Sequence, residues 1–178
     1  MSIINVVGAK IWGGGEQYVY DICKQLQQRH RTAYILVDQS NEDMQSRYAQ
    51  VGHVMTANLY TLKGFLSVNA VAKQMKEQGI NTIVCHSGKY ILFCIALKQL
   101  TGAKLVFIKH NLVPGKTDIY HRWINEQVDA FVCVSKLVYD DLMTPAIKDT
   151  SKYHVVYNGI DPNRFQSFSD AVPMKYKV

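Results

Sequence analysis

Several patterns that mark familiar protein classes are missing from this sequence of 178 residues. Its four cysteines, at positions 23, 85, 94 and 133, never show the CxxC spacing of a redox or zinc site. The beginning of the chain lacks the basic and apolar regions of a signal peptide. The longest apolar run, Tyr90 to Leu97, is far shorter than the ~20 residues of a membrane-spanning helix. We therefore expect buried free thiols in a cytoplasmic protein, with at most a peripheral place at the inner membrane face.

Clusters of basic residues are also missing, although the chain as a whole is basic. Its 20 lysines and arginines outnumber 14 aspartates and glutamates, which gives a net charge of +6. This charge favours anionic partners such as phosphates and phospholipid surfaces. However, it is spread along the chain, and no zinc-finger or RNA-binding motif occurs. We expect an anionic membrane surface as a candidate partner, and no nucleic acid.

The glycine patterns of dehydrogenases and nucleotide hydrolases are absent as well. Gly8 and Gly13 do not have the GxGxxG spacing of a dinucleotide site. The segment Gly115-Lys116-Thr117 looks like the end of a phosphate-binding loop, but His110 stands where the first glycine of that motif is required. Pro114 also removes one of the backbone donors that such a loop needs. The spacing therefore argues against a dehydrogenase and against a nucleotide hydrolase.

What the sequence does contain is an alternation of short apolar segments and amphipathic helices. Continuous apolar runs such as Ile3 to Val7 are typical of strands that are buried on both faces. Apolar residues spaced three and four apart, as at Val19, Cys23 and Leu26, predict helices between the strands. The predicted strands cover residues 3–7, 33–37, 53–57, 81–86, 104–110, 130–134 and 153–157. The predicted helices lie at about 16–31, 42–50, 68–78, 88–100, 120–128 and 135–143.

This order of elements predicts an α/β fold. Strands that alternate with helices form a mostly parallel sheet, here of about seven strands with helices on both faces. We therefore expect a Rossmann-like domain of three layers. The helix at 88–100 is apolar nearly all round, so it should be buried between the sheet and another layer or domain.

The candidate site residues follow the predicted strands, because ligands of open α/β sheets bind beyond the carboxyl ends of the strands. His110 and Asn111 follow strand five, and His86 and Ser87 follow strand four. A histidine in this position can hydrogen-bond a substrate, although many strand-end histidines are structural. Ser87 can form part of a polar cleft wall or simply cap the next helix.

The loop after strand one is rich in glycine. Gly13 to Gly15 let backbone N–H groups approach a ligand, and the start of the following helix favours an anion. A flexible turn is the alternative interpretation. Glu16 lies in the first turn of that helix, where its charge suits the helix dipole. No paired carboxylates, nucleophile elbow or metal-ligand spacing occurs, and we expect His121 and His154 to be structural.

Four motifs at the strand ends resemble the N-terminal domain of the family-4 retaining glycosyltransferases, which have the GT-B fold of two facing Rossmann-like domains. The motifs are Gly14-Gly15-Glu16-x-Tyr18-Val19, Phe107-Ile-Lys-His110-Asn, Phe131-Val-Cys-Val-Ser135-Lys and Val155-Val-Tyr-Asn158-Gly-Ile-Asp161-x-x-Arg-Phe165. The last is the most specific, since in the family this turn leads into the linker to the second domain. The middle of the chain, at about 38–80, matches only in pattern.

The resemblance implies a role for each matching residue. His110 matches a catalytic histidine that hydrogen-bonds a hydroxyl of the transferring sugar. Gly14 and Gly15 would lie against the acceptor or the donor phosphates. The predicted binding residues are Gly14, Gly15, Glu16, His86, Ser87, Asn111, Ser135 and Lys136, and the predicted hinge is Asn158, Gly159 and Asp161.

The donor-binding half of such an enzyme has no counterpart in the sequence. In the family it carries two glutamates, separated by seven residues, that hold the nucleotide sugar, and no such pair occurs here. We expect residues 1–165 to form the acceptor-side domain and 166–178 to form the linker to, or the start of, the second domain. The predicted function is therefore the acceptor-binding half of a sugar-nucleotide-dependent retaining glycosyltransferase for cell-envelope polysaccharide or glycolipid synthesis, incomplete as an enzyme by itself.

The predicted partners are a sugar or glycolipid acceptor and a nucleotide sugar, which is a substrate rather than a cofactor. We expect no cofactor and no metal, because no ligand set is visible and this fold group generally needs none. Apolar surface that would face a second domain favours a homodimer. The alternative function is a non-catalytic binding module, or a partner subunit of the same fold that is inactive without a separate donor domain.

Overall fold

The fold is built on a parallel sheet. The computed structural model describes residues 2–59, 64–116, 118–143, 147 and 149–159. In this part of the chain seven strands, all parallel, lie in the order β3-β2-β1-β4-β5-β6-β7. They are β1 (Ile3–Val7), β2 (Tyr34–Asp38), β3 (His53–Ala57), β4 (Thr82–Cys85), β5 (Lys104–Lys109), β6 (Ala130–Cys133) and β7 (Tyr153–Val155). The predicted Rossmann-like α/β class is confirmed.

Helices connect successive strands. They are α1 (Gly14–Gln28), α2 (Glu42–Tyr48), α3 (Gly64–Glu77), α4 (Ile91–Thr101), α5 (Ile119–Gln127) and α6 (Lys136–Leu142), and a short 3-10 turn over Gly88–Tyr90 precedes α4. The last four strands end one or two residues earlier than predicted, because their final residues already turn into the loops. His110 is therefore the first residue after β5 and not the last residue of the strand.

Side-chain caps determine where several helices begin. The caps of α2, α5 and α6 each accept a hydrogen bond from a backbone N–H in the first turn, and they are Asn41, Asp118 and Ser135. This confirms the predicted cap at Ser135. The imidazole of His121 lies 2.7 Å from the carboxylate of Asp118, so this histidine belongs to the cap.

The alternation of side chains along the strands divides the core into two parts. On one face of the sheet, Ile4 and Val6 pack with residues of α3 and α4. On the other face, Val7 and Val37 pack with residues of α1 and α2. The apolar helix α4 packs against β4 and β5 and lies beside α3, which also packs on the sheet. Five of the eleven residues of α4 are buried, whereas Leu92 and Leu100 are exposed.

Aromatic side chains join the last three strands. The strand register places Phe107, Phe131 and Tyr153 side by side on β5, β6 and β7. The rings of Phe131 and Tyr153 are stacked, with centroids 4.6 Å apart and planes at 5°, and the ring of Phe107 lies 5.9 Å from that of Phe131. Phe131 is thus the centre of the aromatic row and is only 1% exposed.

The strand order creates a crevice beside β1. β2 and β3 extend the sheet on one side of β1, whereas β4 to β7 extend it on the other side. Connections on the two sides leave in opposite directions, so a crevice opens at the carboxyl ends of β1 and β4.

Among the described residues, no helix combines the length and the hydropathy needed to cross a membrane.

Candidate active site

A cavity of about 440 Å³ lies at the carboxyl edge of the sheet, in the crevice beside β1. Its walls come from the loops that follow β1, β4 and β5. Seven of the residues predicted from the sequence line it, namely Gly14, Gly15, Glu16, His86, Ser87, His110 and Asn111. Residues from three separate segments meet here because β1, β4 and β5 are neighbours in the sheet.

Two histidines meet in the wall of this cavity. Nδ1 of His86 lies 3.0 Å from Nε2 of His110, which is a hydrogen-bonding distance. The other ring nitrogen of His86, Nε2, lies 3.1 Å from Oδ1 of Asn5 on β1. The alternation along the strands places these three side chains on the sheet face that α1 covers. The three groups therefore form one hydrogen-bonded row.

Burial keeps both imidazoles uncharged at neutral pH. Burial, assisted by the neighbouring His110, lowers the pKa of His86 to about 3. Burial also lowers the pKa of His110 from its ordinary value. Since an ordinary histidine titrates at about 6.5, neither ring carries a positive charge at pH 7. A neutral imidazole has one donor and one acceptor, which suits hydrogen bonding to a ligand hydroxyl.

The first turns of α1 pack against His110. The ring of Tyr18 meets the imidazole edge-on, with centroids 5.2 Å apart. A Cβ atom added to Gly15 would lie 3.9 Å from the same ring, so the backbone of α1 passes close to it. The free N–H groups at the start of α1 therefore lie near His110, where they can bind an anion.

Aromatic packing anchors the glycine-rich loop on its outer side. The guanidinium of Arg47 lies 4.9 Å from the ring of Trp12, and the ring of Tyr48 lies 5.2 Å from it. Tyr48 also donates a hydrogen bond from its hydroxyl to the backbone carbonyl oxygen of Glu16, at 3.0 Å. These contacts hold the loop and the beginning of α1 against α2.

Glu16 has a structural role that its position in the sequence already indicates. Its carboxylate accepts a hydrogen bond of 3.1 Å from the backbone N–H of Gly13. Its negative charge thus occupies the positive end of α1, where it competes with any anionic ligand. The predicted contact between Glu16 and a ligand stays a prediction, whereas its place at the helix start is as expected.

Ser135 and Lys136 do not line the cavity. Ser135 caps α6 by accepting a hydrogen bond from Val138 at 3.2 Å. Lys136 is exposed and forms an ion pair with Asp140 one turn later. Both residues follow β6, which lies one strand beyond β5, so their predicted contact with a ligand requires a ligand that extends past this cavity.

The described residues of the predicted hinge, Asn158 and Gly159, and of the segment that looks like a phosphate loop, Gly115 and Lys116, do not line the cavity. Asn158 and Gly159 are exposed after β7, and Asp161 lies outside the described residues. The backbone N–H of Gly115 donates to a carbonyl oxygen of α6 at 3.3 Å, which ties this loop to α6. Thr117 lies outside the described residues.

Asn5 and Tyr18 belong to the site although no role was predicted for them. Asn5 is 3% exposed and interrupts the apolar run Ile3–Val7, which is a readable signal because a buried amide requires a partner. Tyr18 is part of the first motif, but its contact with His110 depends on the packing of α1. Lys89 and Lys109 also line the cavity and add positive charge to it.

The described residues contain no group of three metal-binding side chains. All four cysteines are free and buried, as predicted. The chemistry visible in this cavity is therefore hydrogen bonding by imidazoles, an amide and backbone N–H groups, with two lysines nearby.

The model of the family described as Glycosyltransferase Family 4 matches residues 12–164 of the sequence. The chain belongs to glycosyltransferase family 4. The matched region contains His86, His110 and Ser135, but it begins after Asn5. A comparison with curated protein sequences found no match.

Solved structures share the fold of this family-4 chain at low sequence identity. A glycosyltransferase from Rickettsia africae superposes with a TM-score of 0.80 at 18% identity, over 97% of this chain and 46% of its own. HepE from Anabaena, in complex with UDP and glucose, gives a TM-score of 0.71 at 18% identity, over 93% of this chain and 46% of HepE. The lipopolysaccharide outer core galactosyltransferase WaaB gives a TM-score of 0.62 at 14% identity, over 90% of this chain and 46% of WaaB. The chain thus spans about half the length of these proteins.

Proposed function

We propose that this family-4 chain supplies the acceptor-side half of a retaining glycosyltransferase that uses a nucleotide sugar. The observation that carries the proposal is His110, which lies uncharged in the cavity wall beside the start of α1. An uncharged imidazole can hydrogen-bond a hydroxyl of the transferring sugar, and the N–H groups of α1 can meet a phosphate or the acceptor. Both groups lie at the sheet edge where α/β proteins bind ligands.

The charge of the cavity supports an anionic substrate. Lys89 and Lys109 line it, whereas the carboxylate among its lining residues, Glu16, is already engaged at the start of α1. A nucleotide sugar carries its negative charge on a diphosphate, which this surplus of positive charge attracts. HepE, which shares the fold, has been solved with UDP and glucose.

The proposed biological role is the synthesis of a cell-envelope polysaccharide or glycolipid. It is supported by the shared fold of WaaB, which acts on the outer core of lipopolysaccharide. In such a role the acceptor is a hydroxyl of a sugar or glycolipid. No cofactor enters the proposal, because the nucleotide sugar is itself the donor substrate.

The proposed activity is tested with the full-length product of the gene. We expect this protein to transfer sugar from at least one nucleotide sugar to a glycolipid or oligosaccharide acceptor, with retention at the anomeric carbon. The measurement is a screen of UDP-, GDP- and ADP-sugars, with product stereochemistry read by NMR. Binding of an acceptor without transfer from any donor would instead support the non-catalytic module.

A peripheral membrane contact is a second part of the proposal. Ile119, Tyr120 and Trp123 on α5 are exposed, at 78%, 48% and 42%. Arg122, between them in the sequence, is exposed as well. An exposed aromatic surface with an arginine suits the interface of an anionic bilayer, where aromatic rings insert and a cation meets a phosphate. The net charge of +6 also favours binding to an anionic bilayer.

Sedimentation with vesicles tests this contact. We expect the chain to pellet with phosphatidylglycerol vesicles at low salt and to be released as salt rises, because the attraction is screened. Trp123→Ala should weaken binding about ten-fold, as expected from losing ~1.4 kcal/mol of apolar burial. The control Tyr157→Ala removes a 68% exposed aromatic ring after β7 and should bind as the parent does. Equal binding by both variants would exclude α5 as the contact.

A further inference from the structure

Three side chains from different parts of the chain form a row that ends at the cavity. Asn5 lies within β1, His86 follows β4 and His110 follows β5. Asn5 Oδ1 and His86 Nε2 are 3.1 Å apart, and His86 Nδ1 and His110 Nε2 are 3.0 Å apart. Each contact must hold one proton, so the protonation of one group determines that of the next.

The buried end of the row sets its direction. The amide nitrogen of Asn5 donates to the sulfur of Cys23 on α1 at 3.8 Å. The amide oxygen of Asn5 faces His86 at 3.1 Å. Because that oxygen can only accept, Nε2 of His86 must be the donor.

The second contact follows from the first. A neutral His86 that carries its proton on Nε2 has an unprotonated Nδ1, which accepts a hydrogen bond from Nε2 of His110. The two rings are inclined by only 21°, and their centroids are 5.3 Å apart. The distance between the ring centroids is larger than the distance between the two nitrogens by about two ring radii. The two rings therefore lie nearly in one plane and meet at their edges, as an in-plane hydrogen bond requires.

The titratable groups described around the row, Tyr18 and Cys23, keep their own protons at neutral pH. Burial lowers the pKa of His86 to about 3, and the burial of Tyr18 and Cys23 on α1 raises the pKa of each side chain. The charged side chains that line the cavity around His110 come from α1, the turn after β4, and β5, and they are Glu16, Lys89 and Lys109. His110 has no further hydrogen-bond partner among the described residues, which leaves its Nδ1 for a ligand.

We propose that Asn5 and His86 are positioning residues that hold the proton of His110 on Nε2, so that His110 presents Nδ1 to a substrate hydroxyl as a hydrogen-bond acceptor. The inference rests on the proposed function, because that function places a hydroxyl of the transferring sugar at His110. It extends that function, since it states which nitrogen bonds the sugar and in which direction. A sugar hydroxyl donates to His110, and its own oxygen stays free to accept from another group.

Long-range proton–nitrogen NMR of the labelled chain tests the protonation directly and requires no substrate. At pH 7 we expect His110 to carry its proton on Nε2 and to show an unprotonated Nδ1. In Asn5→Leu, Nε2 of His86 loses its acceptor, so the proton of His86 should move to Nδ1 and that of His110 should move to Nδ1 as well. A proton on Nδ1 of His110 in the unmodified chain would overturn the inference, as would an unchanged pattern in Asn5→Leu. The spectrum of the unmodified chain decides the matter even if Asn5→Leu does not fold.

Steady-state kinetics of the full-length protein provide a second test of the positioning role of His86. His86→Phe removes the acceptor for His110 and should lower kcat about ten-fold or more with little change in KM. His86→Gln keeps an acceptor and should recover most of the rate. The matched control His154→Phe changes an exposed histidine on β7 and should stay within about two-fold of the parent rate.

The two proposals fail in different ways. If the unmodified protein transfers sugar and His110→Ala is slow, but His86→Phe is as fast as the parent, then Asn5 and His86 do not act through His110 and the proposed function stands. If no nucleotide sugar is used by the unmodified protein, the proposed function fails, and NMR still decides where the proton of His110 lies.

Discussion

Replacement of His110 by alanine is expected to lower kcat/KM of the full-length enzyme by about 100-fold, the typical cost of a mispositioned substrate. His110 meets His86 at 3.0 Å, packs against Tyr18 and lines the cavity. Alanine removes the proposed hydrogen bond to the sugar and leaves Nδ1 of His86 without its donor. The measurement is the initial rate with the preferred nucleotide sugar, at donor concentrations above and below KM.

The pH dependence of the unmodified enzyme gives the same role a second test. An acceptor nitrogen must be unprotonated, and burial holds the pKa of His110 below its ordinary value. The rate should therefore be constant around pH 7 and should fall only as the pH drops below about 6.5. This fall of the rate at low pH should be absent from the residual activity of His110→Ala. A parent-like rate for His110→Ala, or the same fall at low pH in this variant, would contradict the role of His110.

The second large effect concerns stability. Phe131→Ala is expected to lower the free energy of unfolding by about 3–5 kcal/mol. Phe131 is 1% exposed, stacks on Tyr153 at 4.6 Å and lies 5.9 Å from Phe107. Its removal opens a cavity in the centre of the aromatic row and takes away the side-chain contacts of β6 with Phe107 and Tyr153, although the backbone pairing remains. Urea unfolding followed by circular dichroism measures the loss.

Two further variants calibrate that measurement. Phe131→Leu keeps much of the apolar volume and should cost less than half as much as alanine. Tyr157→Ala removes an aromatic ring that is 68% exposed and should change the free energy of unfolding by less than about 0.5 kcal/mol. If Phe131→Ala costs no more than Tyr157→Ala, the aromatic row does not hold the last strands together.

Much of the fold could be read from the sequence because burial on both faces leaves a strong local pattern. Continuous apolar runs predict the strands, and apolar residues spaced three and four apart predict the helices between them. The strand ends were less predictable: 81–86 and 104–110 were expected, whereas β4 and β5 end at Cys85 and Lys109. Strand ends depend on where the backbone stops pairing with a neighbouring strand, and apolar composition does not record this.

The candidate site was predictable in its parts. His86, Ser87, His110, Asn111, Gly14 and Gly15 were identified by their position after strands, and all of them line the cavity. Ser135 and Lys136 were identified in the same way but lie beyond it. The rule that ligands bind at strand ends cannot distinguish between neighbouring strands, since the distance of each strand from the crevice depends on the strand order.

The sequence by itself determined the α/β class, the basic charge and the motifs that place the chain in family 4. The tertiary structure decided that Asn5, His86 and His110 share one hydrogen-bonded row. These residues are far apart in the sequence, and they meet only because β1 pairs with β4 and β4 pairs with β5. The direction of the row depends on the amide of Asn5, whose oxygen faces His86 and whose N–H points to the sulfur of Cys23 on α1. Hydrogen bonds act over about 3 Å, so the state of His110 depends on packing between elements that no local pattern records.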